Sequence, residues 1–358
     1  MLSNRNTVII ACAGSGKTTR IVTEATVSHN RDVAIVTYTN NNVREINRRL
    51  SELNSGIPKH VDVKTWFGFL LRECARPYQK SKYDSKRIAS MLFVNKQSTR
   101  GIPETRTQDY YFAAQDLIYS DKIARFVIEC ERASRGAVTA RLREIYTDVF
   151  IDECQDLAGW DWDFVEILLQ SGIRITLVGD PRQSILSTNI SRKNVHYRKS
   201  GVNELIEKWE RKGLCVIETM SETRRCNQII CDFVNCLWPE MEHMTSLSSM
   251  QTAHDGVFLV AEDKVENYIQ RFQPQVLRRD TRAKSYGVAA LNFGVAKGME
   301  CDRVLIVPTA PIKTFLKSGD PNILKEKDKL HVAVTRARHS VAFVFNDQSP
   351  VVPNRWDT

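Results

Sequence analysis

Residues 11–20 read ACAGSGKTTR, and their types and spacing fit a loop that binds phosphate groups. Gly14 and Gly16 let backbone N–H groups turn toward an anion, and the start of the following helix adds positive potential. Lys17 can reach the terminal phosphates of a nucleotide, and the Thr18 hydroxyl is a suitable magnesium ligand. The residues expected to contact the nucleotide through this loop are Ala13, Gly14, Ser15, Gly16, Lys17, Thr18 and Thr19.

A second set of polar residues ends the apolar run in VFIDECQD, residues 149–156. Asp152 and Glu153 stand at the C-terminal end of this predicted strand, where α/β sheets bind their ligands. Asp152 can hold magnesium through water, and Glu153 can orient or deprotonate the attacking water. Read alone, the pattern also fits an acidic loop after a strand. Together with the phosphate loop, it favours a site for a nucleotide and Mg²⁺.

The elements that position these groups are apolar runs that end in polar or glycine-bearing turns and alternate with helical stretches. Such runs predict buried parallel strands, and the alternation predicts a doubly wound α/β fold. The runs span residues 7–13, 33–39, 61–65, 148–153, 174–180, 214–218, 257–261, 275–279, 303–307 and 340–345.

The length of 358 residues predicts two domains. Residues 78–146 are helix-rich and basic and contain no convincing strand, so we interpret them as an insertion into the first domain. The polar stretch at 198–212 is the predicted linker. We therefore predict a first domain over 1–200 and a second over 201–358.

The charge balance, 51 Lys and Arg against 42 Asp and Glu, gives a net charge of +9 and favours a polyanionic partner. No apolar run approaches the length needed to cross a bilayer, so we expect no membrane partner. The nine cysteines stand singly in apolar settings, which suits a reducing compartment. We therefore predict a cytoplasmic protein.

The loop with Ala11 at its usual first glycine, followed by the DExQD pattern at 152–156, resembles the UvrD/Rep family of superfamily 1 helicases. In that family, alanine commonly replaces this glycine. Six further blocks resemble the motifs of the family in the same order. They are TYTNNNVREI (37–46), VKTWFGFLLR (63–72), LVGDPRQSI (177–185), ETRRCNQII (222–230), VAKGMECDRVLI (295–306) and HVAVTRAR (331–338).

This resemblance implies two RecA-like P-loop domains with parallel sheets, a small helical insertion in the first, and a nucleotide in the cleft between them. It places Gln155 and Gln183 beside the γ-phosphate. Arg224 and Arg336 would act as arginine fingers, because their guanidinium groups suit the charge of the phosphoryl group. Glu300, after Gly298, resembles the residue that contacts the nucleotide ribose.

The resemblance also indicates residues that contact a nucleic-acid strand. Hydroxyls and amides at strand ends can hold phosphates, and an aromatic ring can stack on a base. The candidates are Thr37, Tyr38, Thr39, Asn40, Thr65 and Trp66. For Trp66, a place in the core is an equally good interpretation.

The sequence departs from the family pattern at several positions. The residues ahead of Gly14 contain no glutamine, so we expect no adenine-reading Q motif there, which leaves the selectivity for ATP open. Leu186 and Thr188 stand where working motors carry aromatics, and Phe67 replaces a histidine. The residues between the fourth and fifth motifs are too few for the large inserted subdomain of full helicases, which indicates a short form.

The leading hypothesis is therefore a nucleic-acid-stimulated ATPase or NTPase that acts as a DNA translocase or helicase. Its cofactors would be ATP, or another NTP, and Mg²⁺, and its partner would be single-stranded nucleic acid, with DNA favoured over RNA. The alternative comes from small UvrD-like proteins found beside OLD-family nucleases in bacterial antiviral systems such as Gabija. On that hypothesis the chain is an NTP-dependent regulatory or DNA-sensing subunit that signals to a nuclease and unwinds little itself. A small-molecule kinase or GTPase would share only the phosphate loop.

Overall fold

The structure is a computed structural model that describes residues 5–27 and 32–357. The chain divides into two compact units. Unit 1 comprises Met1–Ile10 and Lys17–Thr219, and unit 2 comprises Ala11–Gly16 and Met220–Thr358.

Unit 1 is built on a six-stranded sheet with the order β3-β2-β7-β8-β1-β9. Its central strands pair in parallel, and residues such as Ala34, Val36, Val149 and Ile175 are fully buried. The strands that begin in this unit are β1 (Thr7–Ala11), β2 (Val33–Thr37), β3 (Val61–Thr65), β4 (Ser90–Leu92), β5 (Phe112–Ala114), β6 (Leu117–Tyr119), β7 (Asp148–Asp152), β8 (Arg174–Gly179) and β9 (Val216–Met220).

The helices of unit 1 cover this sheet and extend into the insertion. Helix α1 turns Ile21, Val22 and Ala25 inward, and Thr39 caps α2 by accepting a hydrogen bond from the backbone N–H of Asn42. The helices are α1 (Lys17–Val27), α2 (Asn40–Asn54), α3 (Trp66–Phe69), α4 (Arg76–Tyr78), α5 (Thr107–Tyr111), α6 (Ile123–Ala133), α7 (Ala137–Ile145), α8 (Trp160–Leu169) and α9 (Val202–Arg211). A π-helical segment, Leu70–Ala75, joins α3 to α4.

The segment 78–146 contains helices α5, α6 and α7, but it also holds a small sheet. Strands β4, β6 and β5 pair in that order, with Leu92 opposite Tyr119 in the parallel pair. The expectation that this segment contains no strand is therefore wrong. Strands of three residues are too short to show a periodic pattern, and they depend on partners elsewhere in the insertion.

Helix α9 packs on the core of unit 1, where Val202, Leu205 and Ile206 are buried and the rings of Trp162 and Trp209 lie 5.9 Å apart. Strand β9 then forms the edge of the sheet beside β1. The two units divide between Thr219 and Met220, the last residue of this strand. The predicted boundary at residue 200 thus lies ahead of one helix and one strand that belong with unit 1.

Unit 2 contains a second six-stranded sheet, with the order β14-β13-β15-β16-β12-β17 and parallel pairs throughout. Its strands are β10 (Glu222–Thr223), β11 (Thr245–Ser246), β12 (Gly256–Val260), β13 (Gln275–Arg278), β14 (Ala290–Asn292), β15 (Cys301–Ile306), β16 (Ala337–Val344) and β17 (Arg355–Trp356). Its helices are α10 (Gln228–Leu237), α11 (Val265–Phe272), α12 (Ala310–Ser318) and α13 (Lys327–Val334). The two parallel sheets confirm the predicted α/β fold with two RecA-like domains.

None of the helices within 5–27 and 32–357 is both long enough and apolar enough to cross a lipid bilayer.

Candidate nucleotide and nucleic-acid sites

The register of the first sheet brings the predicted catalytic groups of unit 1 to one edge. Ile10 lies opposite Gly179 in the β1–β8 pair, and Asp152 lies opposite Val178 in the β7–β8 pair. The carboxyl ends of these parallel strands therefore meet, which is where open α/β sheets bind ligands. Residues that follow β7 and β8 directly are consequently neighbours in space.

The phosphate loop follows β1 and takes the conformation that its glycines predict. Gly14 and Gly16 have φ values of +75° and +88°, in the left-handed region that favours glycine. The backbone N–H of Ser15 donates to the carbonyl of Cys12 at 3.3 Å and closes the turn. Ala11 ends β1 and is fully buried, so its methyl group occupies packed space at the entry to the loop.

In unit 2 the loop packs against the segment around β10. A Cβ atom on Gly14 would lie 2.5 Å from Thr223 Oγ1 and 2.6 Å from Arg225 Cβ, so only glycine fits there. The backbone N–H of Arg224 donates to the carbonyl of Gly14 at 3.1 Å. Arg224 is exposed, and its Nη1 atom lies 4.0 Å from the position that a Cβ on Gly16 would take. The predicted finger Arg224 is therefore beside the loop.

Lys17 opens helix α1, and its Nζ atom lies 3.6 Å from Glu153 Oε1. Glu153 follows β7 with φ +56°, an uncommon conformation for a residue with a side chain. Its backbone N–H donates to Asp152 Oδ1 at 3.0 Å, which favours this sharp turn. Such local strain is often found at functional positions. The ammonium and the carboxylate predicted to act on phosphate and water are thus in contact.

A buried hydrogen-bond network continues from Glu153 to the segment after β8. Gln155 Nε2 donates to Glu153, and Gln155 Oε1 accepts the backbone N–H of Asp180 at 3.1 Å. Asp180 is fully buried, and its Oδ2 atom accepts a hydrogen bond from Gln183 Nε2 at 2.8 Å. Its Oδ1 atom accepts from Arg182 Nε at 2.9 Å. The two glutamines named from the sequence are therefore joined through Asp180.

The oxygen donors predicted for magnesium are consistent with that ion. Asp152 is 4 % exposed at the end of β7, and Thr18 stands in the first turn of α1. Mg²⁺ usually takes one or two protein oxygens and completes its shell with phosphates and water. In the part of the chain that the structure describes, no cluster of three or more His, Cys, Asp or Glu residues forms a ready metal cage. The donor set thus suits an ion that is carried with a nucleotide.

Thr19, also predicted to contact the nucleotide, is exposed, and its hydroxyl accepts a hydrogen bond from Arg49 Nη1 at 2.8 Å. This contact links the first turn of α1 to α2.

Arg336 has a different setting from Arg224. Its side chain is 2 % exposed and folds back onto the C-terminal end of α13. Nε donates to the carbonyl of Val332 at 2.9 Å, and Nη1 donates to the carbonyl of Met299 at 3.2 Å. A cation is favourable at a helix C-terminus, because the last carbonyls carry partial negative charge. In this structure Arg336 therefore links the end of α13 to Met299, ahead of β15.

Glu300, predicted to contact the ribose, pairs with two arginines. Arg225 Nη2 and Arg338 Nη2 approach its two oxygens at 2.7 and 2.8 Å. Partial burial disfavours ionisation of this carboxyl, but the hydrogen bonds and charges of Arg338 and Arg225 prevail and lower its pKa to about 2. Gly298 is exposed with φ +87°. Arg225, which the sequence analysis did not name, joins Glu300 to the segment that packs on the phosphate loop.

The residues predicted to contact a nucleic-acid strand lie at the ends of β2 and β3. These two β-strands pair with Thr37 opposite Thr65. The Thr37 hydroxyl accepts a hydrogen bond from Asn42 Nδ2, and Thr65 caps α3. Tyr38 is half-buried and donates its hydroxyl proton to the carbonyl of Ser187 at 3.2 Å. Two more of the named residues, half-buried Thr39 and exposed Asn40, begin α2.

Trp66 is 1 % exposed, and its Nε1–H donates to Asp161 Oδ1 at 2.8 Å. Its ring packs inside unit 1, as the core interpretation predicts. The other oxygen of Asp161 accepts a hydrogen bond from Thr188 at 2.5 Å. Burial raises the pKa of Asp161 to about 6, against the lowering effect of these two hydrogen bonds. Thr188, noted for the absence of an aromatic, therefore connects the segment after β8 to Trp66.

Four positions escaped the sequence analysis: Gly179, Asp180, Asp161 and Arg225. Asp180 carried a recognisable signal, because an Asp before Pro often caps a helical turn, and its side chain does accept the N–H of Arg182. Asp161 and Arg225 carried none. Their partners lie far away in the sequence, as Trp66 does for Asp161, so only the fold brings them together.

This chain is similar to a protein family in sequence and to solved helicase structures in fold. The AAA domain family AAA_19 matches residues 1–189. A crystal structure of Arterivirus nonstructural protein 10 (helicase) is similar with 13 % identity and a TM-score of 0.48, over 95 % of this chain and 59 % of that one. The structure of that protein in complex with DNA is similar with 14 % identity and a TM-score of 0.49, over 97 % of this chain and 62 % of that one. The chain thus spans about three fifths of the length of these structures. No curated protein sequence matches it.

The family match covers more than half of the chain, and the fold, the phosphate loop and the Lys17–Glu153 pair agree with it. The chain therefore belongs to AAA_19, a family of UvrD/Rep-like superfamily 1 helicases with a helicase-like P-loop fold.

Proposed function

We propose that this protein is a nucleic-acid-stimulated NTPase that uses ATP and Mg²⁺ and moves along single-stranded DNA. The observation that carries the proposal is the contact of Lys17 with Glu153 at 3.6 Å, next to a loop whose glycines have left-handed φ values. This arrangement provides a cation for the phosphates and a carboxylate for the water.

In the proposed reaction, backbone N–H groups of the loop from Ala13 to Gly16 hold the phosphates, and Lys17 leaves Glu153 to bind the terminal phosphate. Glu153 then accepts a proton from a water molecule as the water oxygen bonds to the γ-phosphorus and the bond to the β–γ bridging oxygen breaks. Asp152 and Thr18 would hold Mg²⁺, which supplies positive charge to the phosphates when it is bound.

Arg224 is the arginine best suited to a role on the nucleotide, because it is exposed and lies beside the loop at Gly14 and Gly16. Its planar group can donate to a phosphoryl group that carries spread negative charge. For Arg336, a finger role would require its guanidinium to exchange the carbonyls of Val332 and Met299 for phosphate oxygens.

The network that leads away from Glu153 suggests how hydrolysis would change the grip on a strand. Gln155 contacts Glu153 and the backbone of Asp180, and the same segment continues to Ser187 and Thr188. Ser187 contacts Tyr38, and Thr188 reaches Trp66 through Asp161. Loss of the γ-phosphate would thus act on one continuous segment that ends at the candidate strand-contact residues. We assign Tyr38, Thr39 and Asn40 to the surface that contacts the nucleic-acid strand. Trp66 lies in the core and would position this surface.

The nine cysteines stand singly in apolar settings of the sequence, which suits a reducing compartment, so we propose that this activity is cytoplasmic. None of the observations above points to a partner nuclease or an antiviral system, and that alternative stays a prediction from the sequence.

The test is ATP hydrolysis by the purified chain with and without an oligothymidylate. We expect turnover that rises when the oligonucleotide is added and that Lys17→Ala abolishes. Lys59→Ala, which removes an exposed lysine elsewhere in unit 1, is the matched control and should hydrolyse normally. Turnover that survives Lys17→Ala unchanged would contradict the proposal, because the loop lysine would then have no role.

A further inference from the structure

Phe93 is the most exposed large apolar side chain within the described residues, at 67 %. It directly follows β4 of the insertion, at the end of a short strand whose backbone is well held. The N–H of Ser120 donates to the carbonyl of Leu92 at 2.9 Å, and the N–H of Val94 donates to Ser120 Oγ at 3.1 Å. The backbone is therefore anchored on both sides of Phe93, and the ring projects from this fixed position.

The Phe93 ring also has a fixed neighbour. It meets the ring of Phe67 edge to face, with centroids 5.2 Å apart and an interplanar angle of 86°. Phe67 is 8 % exposed, and its ring lies 6.2 Å from that of Tyr38. Edge-to-face contacts of this kind are favourable and orient the rings. Phe93, Phe67 and Tyr38 thus form a continuous aromatic cluster, in which Phe93 remains open to solvent over most of its surface.

The sequence stretch that carries Phe93 is basic, which favours a polyanionic partner. Tyr38 lies beside the exposed Asn40 at the start of α2. The charged residues of the stretch 85–100 around Phe93 are all basic, and all are exposed: Lys86, Arg87, Lys96 and Arg100. An exposed aromatic ring in a stretch with exposed basic groups suits a nucleic-acid strand, because bases can stack on the ring while the cations attract phosphates.

We propose that Phe93 stacks on a base of a bound single strand and extends the strand surface from Tyr38 onto the insertion. This inference rests on the proposed function, because it assigns a residue to the same nucleic-acid surface. No motif singles out Phe93 within this basic stretch of the sequence, so the assignment rests on the aromatic cluster and on the exposure of its ring.

The test is fluorescence anisotropy at one fixed salt concentration, with a labelled oligothymidylate and with an abasic strand of the same length. Phe93→Ala should bind the oligothymidylate about tenfold more weakly. It should bind the abasic strand as tightly as the wild type, because only the base is lost from that contact. Phe93→Trp should retain the wild-type affinity for the oligothymidylate. Leu53→Ala, which removes a 58 % exposed apolar side chain from α2, is the matched control and should not change binding.

Each outcome separates the inference from the proposed function. If the wild type binds the oligothymidylate and Phe93→Ala binds it equally well, Phe93 does not stack, and the proposed NTPase function is unaffected. If Phe93→Ala weakens the binding of the oligothymidylate and of the abasic strand equally, base stacking is also excluded. Unchanged oligonucleotide binding with altered sedimentation of the protein would make Phe93 part of a protein interface and overturn the inference. A wild type that binds neither strand would contradict the strand surface as a whole.

Discussion

Gly179 ends β8 directly beneath the side chain of Gln155, and its replacement by alanine should disturb the site without touching a predicted catalytic residue. A Cβ atom at this position would overlap Gln155 Oε1 and would lie 2.8 Å from Cys154 Sγ. Gln155 Oε1 accepts the backbone N–H of Asp180, and the same side chain donates to Glu153. Gly179→Ala must therefore either compress this site or displace Gln155.

Each of the two responses has a cost that can be stated. Forcing a methyl group into a packed core costs about 1–3 kcal/mol. If Gln155 swings away instead, the buried N–H of Asp180 loses its partner, which also costs about 1–3 kcal/mol. The protein takes the cheaper route, so we expect unit 1 to lose about 2 kcal/mol and its Tm to fall by about 4–8 °C. Because Glu153 loses its hydrogen-bond partner, kcat should fall by about 10–100-fold, part of what a positioned base contributes.

A double-mutant cycle with Gln155→Ala tests this reasoning in urea unfolding and steady-state ATP hydrolysis. Gln155→Ala removes Oε1, the nearer of the two side-chain atoms that the new methyl group would meet, so adding Gly179→Ala should then cost less than in the wild type. The reasoning is refuted if Gly179→Ala has wild-type stability and turnover, or if the two substitutions are additive in both measurements.

Three further predictions concern charged groups. Because burial raises the pKa of Asp161 from 3.8 to about 6, its stabilising protonated form is lost as pH rises through 6. Asp161→Asn should therefore gain up to about 3 kcal/mol over the wild type between pH 4 and pH 8 in urea unfolding, and a pH-independent difference would contradict this. The pKa of Glu300 is lowered to about 2, so its contribution is present above pH 4.5 and is lost as pH falls toward 2. Since Glu300 is 40 % exposed, Glu300→Gln should cost only about 1 kcal/mol at pH 7, and the cost should shrink toward pH 3.5; a constant cost would count against the pairing. Arg224→Ala should lower turnover by about three to five decades with normal thermal stability, whereas Arg336→Ala should also lose about 1–3 kcal/mol because the carbonyls of Val332 and Met299 each lose a charged donor. Equal Tm values for these two variants would show that Arg336 has no structural role.

The sequence predicted the strands of the first sheet and four of the six in the second, because strands buried on both faces appear as continuous apolar runs, but it missed the short edge strands β14 and β17. The phosphate loop was equally clear, since left-handed φ values at Gly14 and Gly16 require the residue type that the motif specifies. The apolar run at 148–153 likewise predicted that β7 ends close to Asp152. These features depend on local sequence, so a single chain was enough to find them.

Features that depend on distant partners could not be predicted. Trp66 had two equal interpretations until the fold placed Asp161 against its indole N–H. The loss of an aromatic at Thr188 suggested a missing contact, whereas the buried hydroxyl bonds to that same carboxylate. Arg336 stood in a motif, but nothing in the motif indicates that its guanidinium holds the carbonyls of Val332 and Met299.

The account depends most directly on Glu153 as the group that activates water while Lys17 holds the phosphates. The decisive measurement is a single-turnover reaction of Glu153→Gln with labelled ATP and Mg²⁺, run beside equilibrium binding of the same nucleotide. We predict that Glu153→Gln binds ATP at least as tightly as the wild type and converts almost none of it to ADP. Hydrolysis by Glu153→Gln at the wild-type rate would show that the carboxylate beside Lys17 has no part in the chemistry.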